Sequence, residues 1–209
     1  MSEDIIKGGA FCQCMDKTLI VCGSAGRGGV TETMCQMAAD VIRAKGYDSI
    51  VVYPSDMRIE HCRGCDRCSE GRCIIDDDMH KLYRLFADSD FLILATPLHF
   101  SGPSSLIKTV MDRFQAYWFG KDLPHPEAAA GMICAGSEKP NFEPTIAIMR
   151  AFAITTDMKW LGQLEFAGTD VRGDTGADEE VARFIGDILA LGDSLPRAVR
   201  VPPDRYGGE

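Results

Sequence analysis

The segment "HCRGCDRCSEGRCIIDDDM", residues 61–79, sets Cys62, Cys65, Cys68 and Cys73 in the spacing C-x2-C-x2-C-x4-C and runs directly into Asp76, Asp77 and Asp78. Thiols this close can hold metal, carry redox chemistry or pair as disulfides. Successive two-residue gaps suit an iron-sulfur cubane, whose separate iron corners are reached by thiolates from one looping backbone. Structural zinc more often uses two cysteine pairs set about a dozen or more residues apart. The spacing therefore favours a 4Fe-4S cluster on these four residues. It leaves open reduced thiols without metal, zinc, and a disulfide. The three aspartates read as helix-start carboxylates that cap amides, with metal binding the lesser alternative.

The whole chain limits these choices. Its 209 residues are enough for one domain with a real core, so a disulfide scaffold is unnecessary. A formal charge of -9 argues against general affinity for nucleic acid or an anionic membrane, both of which need cationic surface. The apolar run "FLILATPL" is too short to span a bilayer. The first residues, "MSEDIIKGGAFCQCMDK", carry acids where a secretory signal would carry bases, so a cytoplasmic location is expected. Thiols there are usually kept reduced, which favours metal or redox roles over disulfides. A phosphate ligand would have to be held by backbone amides and hydroxyls.

Apolar runs alternate with helical patterns. "KTLIVCGS" reads as a strand; then Met34, Met37, Ala38, Val41 and Ile42 share a helical face that ends at Gly46. "SIVVYP", "DFLILATP", "AAAGMICAG" and "LGQLEFAG" read as further strands. "DDMHKLYRLFADS", "SSLIKTVMDRFQAYWF", "EPTIAIMRAFAITTDM" and "DEEVARFIGDILALGDSL" read as the helices between and after them. Five strands joined by crossover-length connections imply an α/β domain, a doubly wound parallel sheet with helices on both faces. Ligands in such sheets sit beyond the carboxyl ends of the strands. Residues 17–194 form this domain, with the cysteine-rich loop at 59–78; 1–16 read as an extension and 195–209 as a tail. Cys22, Cys35 and Cys134 read as small core hydrophobes, and Cys12 and Cys14 have no partner segment that would make them ligands.

"GSAGRGGVTET", from Gly23 to Thr33, stands where such a sheet binds phosphate, between a strand and a helix N-terminus. It is neither a P-loop nor the dinucleotide pattern G-x-G-x-x-G, and a tight turn without ligand is the alternative. The loop resembles the "GSPRxxGNT" phosphate loop of the NAD(P)H-dependent FMN reductases and the related iron-sulfur flavoproteins. Gly23, Ser24, Gly28, Gly29, Thr31 and Glu32 agree in register, while Ala25, Gly26 and Val30 depart. "ATPLHFSGPSSLIKTVMDR" resembles the family's "SPVYxxSxxxxLKxxIDR", and the cysteine segment resembles the iron-sulfur flavoproteins' compact motif followed by "DDM".

The resemblance implies a flavodoxin-like fold with strand order 2-1-3-4-5. It implies FMN held at Ser24, Gly26, Arg27, Gly29, Val30 and Thr31, with the ring edged by Pro97, Leu98, His99, Phe100 and Ser101 and neighboured by Gly136 and Ser137. Lys108, Asp112 and Arg113 read instead as a helix-surface ion-pair set or subunit contact. Flavin and cluster together imply a converter between two-electron and one-electron traffic, fed by NAD(P)H or a ferredoxin. The family also implies a homodimer or homotetramer with "FQAYWF" near the subunit contact; core packing of Phe114, Tyr117 and Trp118 is the alternative. The functional alternatives are a plain NAD(P)H:FMN or quinone reductase, a non-catalytic electron carrier, and a thiol- or metal-binding protein.

Overall fold

In the run Leu19-Ile20-Val21-Cys22 both alternating sets of side chains are buried, as a strand covered on two faces requires. The computed structural model describes residues 16–120, 123–192 and 194. Cys12, Cys14 and the tail 195–209 lie outside the described residues. Strands β1 (Lys17–Cys22), β2 (Asp48–Val52), β3 (Phe91–His99), β5 (Ala128–Cys134) and β6 (Lys159–Phe166) form a parallel sheet in the order β2-β1-β3-β5-β6. Counted among the long strands alone, this is the expected 2-1-3-4-5. A two-residue strand, β4 (Gly102–Pro103), pairs antiparallel with the end of β3 and was not expected from the sequence.

Helices α1 (Val30–Ala44) and α7 (Ala177–Gly192) cover one face, packing on Ile20, Cys22, Ile93 and Met132. Cys22, Cys35 and Cys134 lie buried in that layer. Helices α2 (Met79–Ala87), α3 (Ser105–Asp112), α4 (Gln115–Phe119) and α5 (Glu143–Thr155) cover the other, packing on Leu19, Val21, Leu92 and Ile133. A short helix, α6 (Thr169–Arg172), follows β6.

The single helix expected over 104–119 is two. The hydroxyl of Tyr83 donates to the Arg113 carbonyl, and the Tyr117 amide turns to Phe114 (3.0 Å). The helical ladder is therefore interrupted between α3 and α4. Phe114 and Tyr117 join Tyr83, Phe86 and Phe152 in an aromatic cluster with neighbouring centroids 4.6–5.4 Å apart. Trp118 and Phe119 stand exposed. "FQAYWF" thus divides between core and surface.

Candidate functional site

The loops that follow β1, β3 and β5 meet at the carboxyl edge of the sheet. The first is clamped at its base, where the Gly23 amide donates to the Ala95 carbonyl (2.7 Å) and Ser104 Oγ donates to the Gly23 carbonyl (2.7 Å). Ser104 is also the N-cap of α3, accepting from the Ile107 amide. A Cβ on Gly23 would come within 2.1 Å of Ile107 Cγ1 and 3.0 Å of the Ala95 carbonyl oxygen. Gly23→Ala is therefore expected to lose about 1–3 kcal/mol of stability, measured by urea unfolding.

Beyond Gly23 the loop opens. A Cβ on Gly26 or Gly28 would meet nothing within 4 Å, and on Gly29 only Ser24 Oγ at 3.9 Å. Gly28 has φ +74, the left-handed region that glycine adopts without penalty. Among the described residues the amides of Ala25, Gly26 and Arg27 donate to nothing, and α1 starts at Val30. This is a cradle of free N–H groups at a helix N-terminus, and it fits a phosphate.

The side chains around the cradle are largely committed to one another. Ser24 Oγ donates to the Gly26 carbonyl (2.9 Å) and closes the turn. Arg27 pairs with Glu32 (2.8 Å) and Asp56, and its guanidinium lies 3.5 Å above the Tyr53 ring. Glu32 also accepts the Gly28 amide (2.5 Å), and this bond and Arg27 hold its carboxyl below the usual range. Thr31, expected to face the ligand, is buried, with Oγ1 2.9 Å from Cys134 Sγ. Val30 is half-buried against the α1–α7 layer. The structure thus sets Thr31 beneath the cradle rather than in it.

β3 runs beyond the sheet and turns back on β4, with Leu98 opposite Pro103 and His99 opposite Gly102. The turn residues Phe100 (φ 50) and Ser101 (φ 61) both lie in the left-handed region, as a two-residue type I′ hairpin demands. Neither is the glycine or asparagine usually found there. Thr145 of α5 holds the tip by donating to the Ser101 carbonyl (2.9 Å). Pro97 and Leu98 are half-buried, while His99 and Phe100 are exposed on the rim. Gly136 follows β5, and the carboxylate of the exposed Asp170 occupies the space beside it, 2.4–2.6 Å from where a Cβ would be. Ser137 is tied by its carbonyl to the Gly168 amide (2.8 Å). Neither Asp56 nor Asp170 stood out in the sequence, since each acts across a large chain separation.

The cysteine segment leaves the same edge after β2 and packs against α3 and α4. Gly64, Asp66 and Gly71 take positive φ (59, 55 and 100), which bends the backbone round. Cys62, Cys65, Cys68 and Cys73, all free, line one cavity of about 370 Å³ with His61 and Arg113 among the other walls. Among the described residues no three of His, Cys, Asp or Glu converge on a point that could hold a metal ion. Thiols spread round a cavity fit a cluster with separate iron corners better than zinc, which needs its donors about 2.0–2.3 Å from one centre.

Asp77 anchors this loop. Its carboxylate accepts from the amides of Glu60 (2.9 Å) and Met79 (3.1 Å) and from both terminal nitrogens of Arg113 (2.6 and 3.0 Å). Asp78 accepts the Arg58 amide (2.8 Å) and pairs with Lys81. Lys108 and Asp112 form the expected exposed i,i+4 pair (2.6 Å). Arg113 does not belong to that surface set: its side chain is fully buried, as is that of Asp77.

A doubly wound parallel sheet in this strand order, with an open glycine cradle after its first strand, defines a flavodoxin-like fold. The chain belongs to the NADPH-dependent FMN reductase family, a family of oxidoreductases, whose model matches residues 17–170. It is similar to an iron-sulfur flavoprotein of Archaeoglobus fulgidus, 30% identical over 125 residues, covering 59% of this chain and 57% of that one. It is also similar to the iron-sulfur flavoprotein MJ1083 of Methanocaldococcus jannaschii, 28% identical over 185 residues, covering 83% and 95%. The chain thus spans little more than half of the Archaeoglobus protein and nearly all of the Methanocaldococcus one. Among solved structures, a flavone reductase superposes with TM-score 0.65 at 22% identity, covering 85% of this chain and 62% of that chain. An NAD(P)H:quinone oxidoreductase from Methanothermobacter marburgensis gives 0.65 at 16% identity, covering 87% and 100%. At these identities the solved structures support the fold alone. Among the described residues no helix is long and apolar enough to cross a membrane.

Proposed function

We propose that the protein is an FMN-dependent oxidoreductase that also carries a 4Fe-4S cluster and passes electrons from NAD(P)H or a ferredoxin to a separate acceptor. The observation that carries this reading is the set of four free cysteines round one cavity, in a chain that also offers an open phosphate cradle. The names of the relatives, iron-sulfur flavoproteins, agree with it. FMN exchanges one or two electrons and a 4Fe-4S cluster one at a time, so together they join the two kinds of traffic.

In this reading the amides of Ala25, Gly26, Arg27 and Gly29, with Ser24 and the start of α1 at Val30, bind the phosphate. Thr31 supports the helix start from below. Pro97, Leu98, His99, Phe100 and Ser101 edge the ring, and Gly136 and Ser137 flank it from β5. Cys62, Cys65, Cys68 and Cys73 hold the cluster. The exposed Phe100, Trp118 and Phe119 suit a homodimer or homotetramer. Free, unpaired thiols suit a reducing cytoplasm.

The test is the visible spectrum and the flavin, iron and sulfide content of anaerobically purified protein. The expected result is FMN with about four iron atoms per chain. A colourless, iron-free protein overturns the proposal, and a yellow, iron-free one reduces it to a plain flavin reductase or carrier. A second expectation concerns Glu32, whose charge lies beside the cradle. Glu32→Gln keeps an acceptor for the Gly28 amide but removes the repulsion of a phosphate. FMN titrated into flavin-free protein at low salt should bind a few-fold more tightly, and weaker binding would show that the carboxylate is needed to shape the loop.

A further inference from the structure

The guanidinium of Arg113 carries five N–H groups. Nη1 uses both of its own, on the Glu60 carbonyl (2.8 Å) and Asp77 Oδ2 (2.6 Å), and Nη2 uses one, on Asp77 Oδ1 (3.0 Å). Nε is buried and has no partner among the described residues. The edge left free is the Nε–H with the second Nη2–H, the two parallel donors with which arginine grips anions. A buried donor without an acceptor is uncommon in a folded protein and points to an absent partner. Arg113 is among the residues that line the four-cysteine cavity, and its guanidinium is fully buried behind that lining.

We propose that Arg113 donates this free edge to the sulfur shell of the cluster in that cavity and thereby raises the cluster's reduction potential. The inference rests on the cluster reading given above. Asp77 neutralises the guanidinium but is not among the residues lining the cavity, whereas Arg113 is, so the cation is the member of the pair on the cysteine side. Of the acids on the cavity wall, Asp112 is paired with Lys108; Asp66 sits at a bend of the cysteine loop, and Arg63 is paired with Glu60. The guanidinium is held by the Asp77 carboxylate and the Glu60 carbonyl, which leaves the donor edge little freedom to turn away. One-electron reduction adds a negative charge to a cluster already ringed by four thiolates. A directed N–H edge on a cation favours that state, since hydrogen bonds to sulfur and local charge set such potentials.

The test is a redox titration of anaerobically purified, cluster-loaded protein, followed by visible absorbance and by electron paramagnetic resonance. Arg113→Lys keeps a cation for Asp77 but loses the Nε edge. The expected result is a more negative midpoint, by about tenfold in the ratio of reduced to oxidised cluster, or about 59 mV for one electron. Asp77→Asn keeps the side-chain shape and uncovers the cation, so its midpoint should move in the positive direction. Opposite shifts in the two variants support the proposal. A wild-type midpoint in Arg113→Lys overturns it and leaves the cluster reading intact. Should Arg113→Lys not fold, Asp77→Asn decides alone, a positive shift supporting the proposal and an unmoved midpoint overturning it. Wild-type protein without iron removes the cluster reading itself, and the proposal with it.

Discussion

Replacing Cys65 with serine is expected to strip the protein of most of its iron while leaving its flavin in place. Of the four cysteines on the cavity, Cys65 is the exposed one, whereas Cys68 and Cys73 also pack against the hydrophobic core. Substituting Cys68 or Cys73 would therefore mix a lost ligand with lost packing. Serine at 65 removes a thiolate and little else, because surface changes of this size usually stay within about 0.5 kcal/mol. The cradle at 23–29 and the hairpin at 97–103 share no hydrogen bond with residue 65. Iron and sulfide should fall together, the broad cluster absorbance should vanish, and the sharper flavin bands should stay. Iron at wild-type level in Cys65→Ser would mean that the four thiols do not act as one ligand set.

The layers of the fold were legible in the sequence because buried parallel strands read as unbroken apolar runs, and Leu19 to Cys22 or Phe91 to Ala95 read in no other way. The breaks were not. The interruption between α3 and α4 depends on a hydroxyl 30 residues away, on Tyr83, and the short β4 on a turn that puts Phe100 and Ser101 into conformations their residue types disfavour. At the cradle, position was legible and direction was not. Thr31 looked like a ligand hydroxyl, yet it shares a helical stripe with Cys35, Ala38 and Ile42, all buried, and periodicity alone assigns it to the interior. Arg113 was misread for the opposite reason. Its neighbours Lys108 and Asp112 supply a local ion pair, whereas its own partner Asp77 is 36 residues distant and invisible to helical spacing.

That buried pair also sets the second large expected effect. Asp77→Ala removes the counter-charge of Arg113 and the acceptor for the amides of Glu60 and Met79 in one step. Deleting one partner of a buried pair typically costs about 3–5 kcal/mol, a large share of the roughly 5–15 kcal/mol that holds a domain together. Asp77→Asn, which keeps the volume and an acceptor, should lose less. The pH dependence distinguishes this from simple loss of packing. Burial alone would push the Asp77 carboxyl up, but Arg113 and the two amides outweigh it and hold the folded value below the usual range. A lowered folded value means that the contribution is complete above the unfolded value, about 3.9, and is lost as pH falls through the folded one. The gap in stability between parent and Asp77→Ala should therefore be full at neutral pH and should narrow as pH drops below about 4. Urea unfolding in the Cys65→Ser background, where no cluster is expected to dissolve in acid, measures that gap directly. A gap that stays constant down to the acid limit would assign the loss to a cavity rather than to the ion pair.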